Sequence, residues 1–172
     1  MGFDISGISV QNAKATAAAA GVSSNTRFFQ ADAENTKLPD NSIDIILCSG
    51  MLHHLDLSYA IPEIRRILKP GGMVLAGEAL DYNPAIKLYR MLTPDMRTDW
   101  EKGHILDLSD VKFAERFLEL IEIRYWHVFG YLGGKFSILL PFLDNLDKIF
   151  ENIPFIQRLS WIFTFVLRKK NE

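Results

Sequence analysis

The sequence predicts an α/β domain with a mostly parallel sheet covered by helices, and three observations carry that expectation. Short apolar runs alternate with longer segments of helical period through the first half of the chain. The run Ile43–Cys48 is nearly continuous Ile and Leu, the pattern of a strand buried on both faces. The chain has 172 residues, 48% apolar and 23% charged, which suits one globular domain and excludes a disordered chain. Strand–helix–strand alternation of this kind closes through right-handed crossovers.

Each element has a local cause. Gly2–Ile5 reads as the end of a strand. Ser6 or Ser9 can cap a helix to about Ala20, with Ala13, Ala17 and Ala20 on one small face and Gly21 as a left-handed stop. Arg27–Ala31 is a second, aromatic-rich strand, and Pro39-Asp40-Asn41 is turn chemistry. Leu57, Ala60, Ile61, Ile64, Ile67 and Leu68 recur at helical spacing, with Pro62 expected to delay or kink that helix. Pro70-Gly71-Gly72 ends it in a sharp turn, and Met73–Ala76 is another buried strand. Residues 80–108 are expected to form a long, loop-rich insertion on the substrate side, with a helix near Ala85–Met91. Ser109 can cap the next helix. Ile121, Ile123 and Tyr125 alternate with Glu122 and Arg124 as a half-exposed strand. Phe142, Leu143, Leu146, Ile149 and Phe150 mark a further helix, and Trp161–Leu167 a last strand. No domain boundary is visible within residues 1–172.

Composition excludes some functions. Nineteen basic against 21 acidic residues leave a net charge of −2, unlike the basic excess of a nucleic-acid binder. One cysteine, Cys48, rules out an intramolecular disulfide or a cysteine zinc cage and fits a reducing compartment. The first residues lack the pattern of a secretory leader, and no run of about 20 apolar residues suggests a spanning helix. A cytoplasmic location is the expectation, with peripheral membrane contact left open by the aromatic tail from Phe136 to Leu167.

Candidate chemistry gathers at the carboxyl ends of the strands, where open parallel sheets bind ligands. Asp4 can accept hydrogen bonds from two ribose hydroxyls, or it simply caps the next helix. Asp32 can accept from a purine amino group while the next amide donates to a ring nitrogen, or it is a turn aspartate. Ser49 and Gly50 follow a buried strand and allow close backbone approach. His53 and His54 come next; imidazole is a possible general base, against a purely structural role. His53, His54, Asp56 and His104 match no common zinc spacing, so no metal is expected.

Taken in order, Phe3-Asp4-Ile5-Ser6, Gln30-Ala31-Asp32-Ala33 with Leu38-Pro39, Ile43-Asp44-Ile45-Ile46, Leu52-His53-His54-Leu55 and Glu63 through Gly72 resemble a class I S-adenosylmethionine-dependent methyltransferase of the type 11 group. The resemblance runs from Gly2 to Glu78. It implies a Rossmann-like, mostly parallel sheet with a reversed last strand, in the order 3-2-1-4-5-7-6, and S-adenosylmethionine as cofactor. It further implies that Asp4 holds the ribose, Ile5 packs on adenine, Asp32 and Ala33 bind the adenine edge, and Ser49 and Gly50 lie beside the methionine portion. His53 and His54 then fall near the departing methyl group.

The family's Gly-rich turn, normally ahead of Asp4, is not present, so a chain lacking the first strand and binding the cofactor weakly is expected. Tyr82, Tyr89, Met91, Trp100, Phe136 and the stretch Leu92–Thr98 are candidate walls for a small lipophilic or aromatic acceptor. Two other readings are a nicotinamide-dependent oxidoreductase, which does not predict the Asp32 or Leu-His-His features, and a non-catalytic, degenerate interaction module.

Overall fold

The computed structural model of the chain describes residues 1–93, 105–134 and 137–171. Residues Pro94–Thr98, Trp100, His104 and Phe136, singled out above, lie outside the described residues.

The first unit is β1 (Gly2–Asp4), α1 (Gly7–Ala19) and β2 (Phe28–Gln30). β1 and β2 pair in parallel, with Asp4 opposite Gln30. Ser6 caps α1 by accepting from the Ser9 amide, and Gly21 takes the left-handed conformation (φ +69°) that stops it. α1 buries Val10 and Ala17. Ala20 becomes the C-cap and is exposed, because the helix ends before that position can turn inward.

The second unit is a four-stranded sheet in the order β3-β4-β6-β5. β3 (Ile43–Ser49) and β4 (Leu68–Ala79) run parallel, joined by α2 (Leu57–Ile67). β6 (Ile162–Arg168) lies antiparallel between β4 and β5 (Glu119–Trp126), which is the expected reversed last strand. Leu52, Leu68, Val74, Leu80, Phe163 and Leu167 are each nearly inaccessible and form the centre of the core. Burying a side chain of this size stabilises by about 1.5–3 kcal/mol.

Three further α-helices are described. α3 (Pro84–Leu92) is capped by Asn83, and α5 (Leu140–Phe150) carries Pro141 in its first turn. α4 (Leu108–Ala114) is capped by Asp107 in a reciprocal box with Asp110, not by Ser109. Asp107 wins that role because its carboxylate accepts from the Ser109 amide and hydroxyl at once.

Several expectations need correction. Among the described residues the parallel strands do not form one sheet: β1 and β2 pair apart from the other four strands, and β3 has β4 as its one strand partner. Its Ile45 and Leu47 are 59% and 73% exposed, where the apolar run predicts burial on both faces. The physical reason is that α1 packs on β1 and β2, leaving one face of β3 uncovered. The Lys69–Gly72 segment is a bulge within β4, since Ile43 pairs with Leu68 and Ile45 with Met73. A Cβ at Gly72 would stand 2.9 Å from the Lys69 carbonyl oxygen and 3.0 Å from that of Asp44, so only glycine fits there. α2 runs from Leu57 through Pro62 without a late start. In β5 a register shift between Leu120 and Glu122 puts Ile121 outside. In α5, Phe142 and Ile149 are exposed, and the buried positions are Leu143 and Asp147. Asp147 is satisfied by the amides of Phe129 and Gly130.

Candidate functional site

The predicted binding residues occupy the carboxyl ends of β1, β2 and β3. Asp4 ends β1, and one of its oxygens accepts from the Ser6 amide at 2.7 Å. Asp32 follows β2 and accepts from the Glu34 amide at 2.9 Å. Both aspartates therefore make a turn contact to the amide two residues on, while the cap of α1 is Ser6. Each contact uses Oδ1, which leaves a second carboxylate oxygen to meet a ligand. Gln30 donates to the Ile5 carbonyl at 2.9 Å and the Ala31 amide to the Asp4 carbonyl at 3.1 Å, so the two strand ends are held side by side. Ile5 is exposed beside them.

Ser49 ends β3 and is exposed. Gly50 has φ +59° with open space where a Cβ would stand, and its amide donates to the Gly77 carbonyl at 2.8 Å. A left-handed residue after a parallel strand turns the chain sharply across the sheet edge. Leu52–His54 then form a single 3₁₀ turn.

Glu78, near the end of β4, organises this turn. It is 2% exposed, and its Oε1 accepts from the amides of Met51 (2.9 Å) and Leu52 (2.8 Å). Its Oε2 lies 2.8 Å from Nδ1 of His53. Sequence reasoning did not single out Glu78. The available signal was a carboxylate in the otherwise apolar strand Met73–Ala79, since a buried charge requires specific partners. The structure also separates the two histidines. His53 is held by Glu78, whereas His54 is exposed with its ring 4.0 Å from that of His53.

His53 lines a cleft of about 490 Å3 with Leu52, Asp56, Ile105, Leu106 and Phe113. The insertion thus contributes a wall through Ile105 and Leu106. A second cleft, of about 430 Å3, lies between β1 and β3, with Ala33 at its rim. Cys48 also borders it, and burial, reinforced by the charge of Glu78, pushes its thiol up to about 12. A thiol so protonated is neither a ready nucleophile nor a metal ligand. Among the described residues no cluster of His, Cys, Asp and Glu is arranged to hold a metal ion. No helix among them is long and apolar enough to cross a membrane.

The loop between β2 and β3 ties the two units together through α2. Glu63 accepts from the amide (2.7 Å) and hydroxyl (2.6 Å) of Thr36 while pairing with Arg66 at 2.8 Å. The hydrogen bond from Arg66, aided by those from Thr36, holds the Glu63 carboxyl down at about 2. Glu34 accepts from the Asp56 amide at 2.7 Å.

Residues 1–76 match the family model described as a methyltransferase domain. A stretch of 59 residues is 42% identical to the ubiquinone/menaquinone biosynthesis C-methyltransferase UbiE of Stutzerimonas stutzeri (strain A1501), covering 34% of this chain and 23% of that protein. The uncharacterized methyltransferase YcgJ of Bacillus subtilis (strain 168) is 44% identical over 52 residues, 30% of this chain and 21% of that protein. The matches thus span less than a quarter of the length of these curated relatives. Among solved structures, an S-adenosylmethionine-dependent methyltransferase from Methanosarcina mazei superposes with a TM-score of 0.65 at 19% identity, over 99% of this chain and 82% of that one. The [4+2]-cyclase SpnF gives 0.65 at 18% identity, over 99% and 66%. At such identities the likeness establishes the fold alone.

Proposed function

We propose that this chain, whose first 76 residues match a methyltransferase family model, is a class I S-adenosylmethionine-dependent methyltransferase that binds S-adenosylmethionine along the strand ends and serves methyl transfer to a small lipophilic or aromatic acceptor. The observation that carries the reading is that Asp4, Asp32, Ser49 and Gly50 each stand at or just past the carboxyl end of a strand, β1, β2 and β3 in turn.

The residues suit that cofactor chemically. Asp4 has a carboxylate oxygen beyond its turn contact for the ribose hydroxyls, and Asp32 has one for the adenine amino group. The Ala33 amide serves as donor to the ring, and exposed Ile5 offers apolar surface to its face. Gly50, with open space at its Cβ position, lets backbone lie against the methionine portion beside Ser49. When bound, S-adenosylmethionine supplies an electrophilic methyl group on a sulfonium. The chain's own task is to hold the acceptor in line and keep water out.

The cleft at His53 is the acceptor site in this reading. Leu52, Ile105, Leu106 and Phe113 give it an apolar lining, and Asp56 and His53 give it polar positions. The names of the UbiE relatives support an acceptor of the quinone-precursor type. For an acceptor that loses a proton, His53 is the base. Donation of Nδ1–H to Glu78 fixes the tautomer with Nε2 as the accepting nitrogen. His54, which is exposed, is not given that role.

Titration with S-adenosylmethionine, followed by amide NMR shifts, tests the proposal. Shifts concentrated at Asp4, Ala33 and Gly50 are expected, with Asp4→Ala and Asp32→Ala each weakening binding about tenfold, or about 1.4 kcal/mol. Shifts absent from those amides at millimolar ligand overturn it.

A further inference from the structure

A further pocket lies at the other end of the four-stranded sheet from Ser49 and Gly50. It measures about 260 Å3 and is lined by Arg65, Glu115, Arg116, Phe117, Leu118 and Lys170. Arg65 is in the last turn of α2, just before β4, and residues 115–118 lead from α4 into β5. Lys170 follows β6, which runs against β4 and so ends at the same side. The lining holds three cations and one carboxylate, a surplus of two positive charges. Neighbouring cations are paired: Arg66 with Glu63 and Asp40, Lys69 with Asp44, and Arg168 with Glu119. Among the described residues neither Arg116 nor Lys170 forms an ion pair. The Arg116 guanidinium lies over the Phe113 ring, 5.5 Å from its centroid, and Phe113 in turn packs on Phe117. Lys169, beside Lys170, is tied by its main chain to Gly71 and Gly72, at 2.9 Å each. Its ammonium donates to two neutral oxygens, the Asn41 side chain (2.7 Å) and the Leu68 carbonyl (2.8 Å). Burial, then the like charge of Arg65, lowers the pKa of that ammonium against the opposing pull of Asp40.

We infer that this pocket binds the terminal phosphate of a small phosphorylated compound. Charge selects the ligand. A phosphate monoester carries about −1.5 to −2 charges at neutral pH and three strong acceptor oxygens, which matches the surplus of two. A carboxylate brings one charge and two oxygens. The guanidinium of Arg116 is a planar fork that fits two phosphate oxygens, and the ammonium of Lys170 adds a point charge. Size selects it further. Sites for drug-sized ligands measure about 300–1,000 Å3, so 260 Å3 admits a phosphate on a short stem and not a whole nucleotide. Phe117 and Leu118 give that stem an apolar wall. A guanidinium already seated on a ring has less freedom to lose when the ligand arrives. This inference does not rest on the methyl-transfer reading, since it concerns the amino ends of the parallel strands and none of the residues assigned to cofactor or acceptor.

The test uses the full chain and glycerol phosphate at a constant ionic strength of about 0.1 M, with acetate as the singly charged control. Binding and its location are read together from amide NMR shifts, without S-adenosylmethionine. The expected result is saturable shifts at Arg116–Leu118 and Lys169–Lys170, with a Kd of about 1 mM or tighter and acetate at least about tenfold weaker. Arg116→Gln and Lys170→Gln replace exposed side chains, so circular dichroism should match the parent. Affinity is expected to fall about tenfold in the first and about threefold in the second, since the fork makes paired bonds and the ammonium does not. Arg116→Lys keeps the charge without the fork and should recover only part of the loss. Glu115→Gln removes the one acid of the lining and is expected to tighten binding about threefold, which a merely structural role of these residues would not produce. No saturation by about 10 mM, shifts confined to other amides, equal binding of acetate, or an unchanged Kd in Arg116→Gln each overturns the inference. Sedimentation of the chain with phosphatidic acid vesicles, together with no binding of glycerol phosphate, assigns the pocket to a lipid surface and overturns it as well.

Discussion

Replacing Glu78 tests whether the turn carrying His53 is built by that one carboxylate. In Glu78→Ala three hydrogen bonds of 2.8–2.9 Å disappear. The Met51 amide is only part-buried and recovers water, but the Leu52 amide is buried and does not. An unsatisfied buried donor costs about 1–3 kcal/mol, and bonds to a charged acceptor are each worth about 1.5–3 kcal/mol. Losses of about 3–5 kcal/mol are therefore expected, read as a lower urea midpoint at unchanged slope. Glu78→Gln separates structure from chemistry. Its amide oxygen still accepts from Met51 and Leu52, while its NH2 faces Nδ1 of His53 and can only donate. His53 must then carry its proton on Nε2, and the cost is expected to be only about 1 kcal/mol. Imidazole 15N shifts distinguish the tautomers. A Glu78→Ala loss below about 1 kcal/mol, or an unchanged His53 tautomer in Glu78→Gln, would refute the assignment of Glu78 as the organiser.

Two further outcomes follow from buried groups. Glu63, held near 2 against an ordinary 4.5, contributes stability that is present above about pH 4.5 and lost as pH falls toward 2. The full effect is about 3 kcal/mol, and Glu63→Gln should flatten that part of a stability–pH curve. Cys48, only 5% exposed with its thiol pushed up to about 12, should resist iodoacetamide at pH 8 in the folded chain and react on adding urea. Rapid alkylation of the folded chain would show that the β3 edge opens readily.

Much of the order of elements was legible because local patterning agrees with tertiary packing. Ser6 as cap, Gly21 as stop and the apolar face of α2 follow from neighbours a few residues apart. Asp4 and Asp32 were legible as strand-end carboxylates, and the structure sets Asp4 at the end of β1 and Asp32 just past its partner β2. Exposure of Ile45 and Leu47 was not legible, because an apolar run reports what a strand prefers and not whether its neighbour is present. Glu78 was missed for a related reason. Its partners are 25 to 27 residues away, a distance at which no local spacing rule operates. Ile121 was assigned inward because strict alternation cannot anticipate a register shift.

The proposed binding edge is divided between the two units. Asp4 and Asp32 belong to the β1–β2 pair, whereas Ser49, Gly50 and His53 belong to the four-stranded sheet. Among the described residues no strand is hydrogen-bonded to both β1 and β3, and the loop held to α2 by Glu63 with Thr36 and by Glu34 with the Asp56 amide links the two units. A ligand that touches both sets pays for any looseness in that loop with its own binding energy. Fastening the two units by an intact Glu63 network therefore tightens ligand binding without adding a contact to the ligand. Glu63→Gln should weaken S-adenosylmethionine at neutral pH even though Glu63 lies at none of the proposed contact positions. A variant that loses stability at Glu63 but binds the cofactor as tightly as the parent would show that the two halves are aligned by something other than this loop.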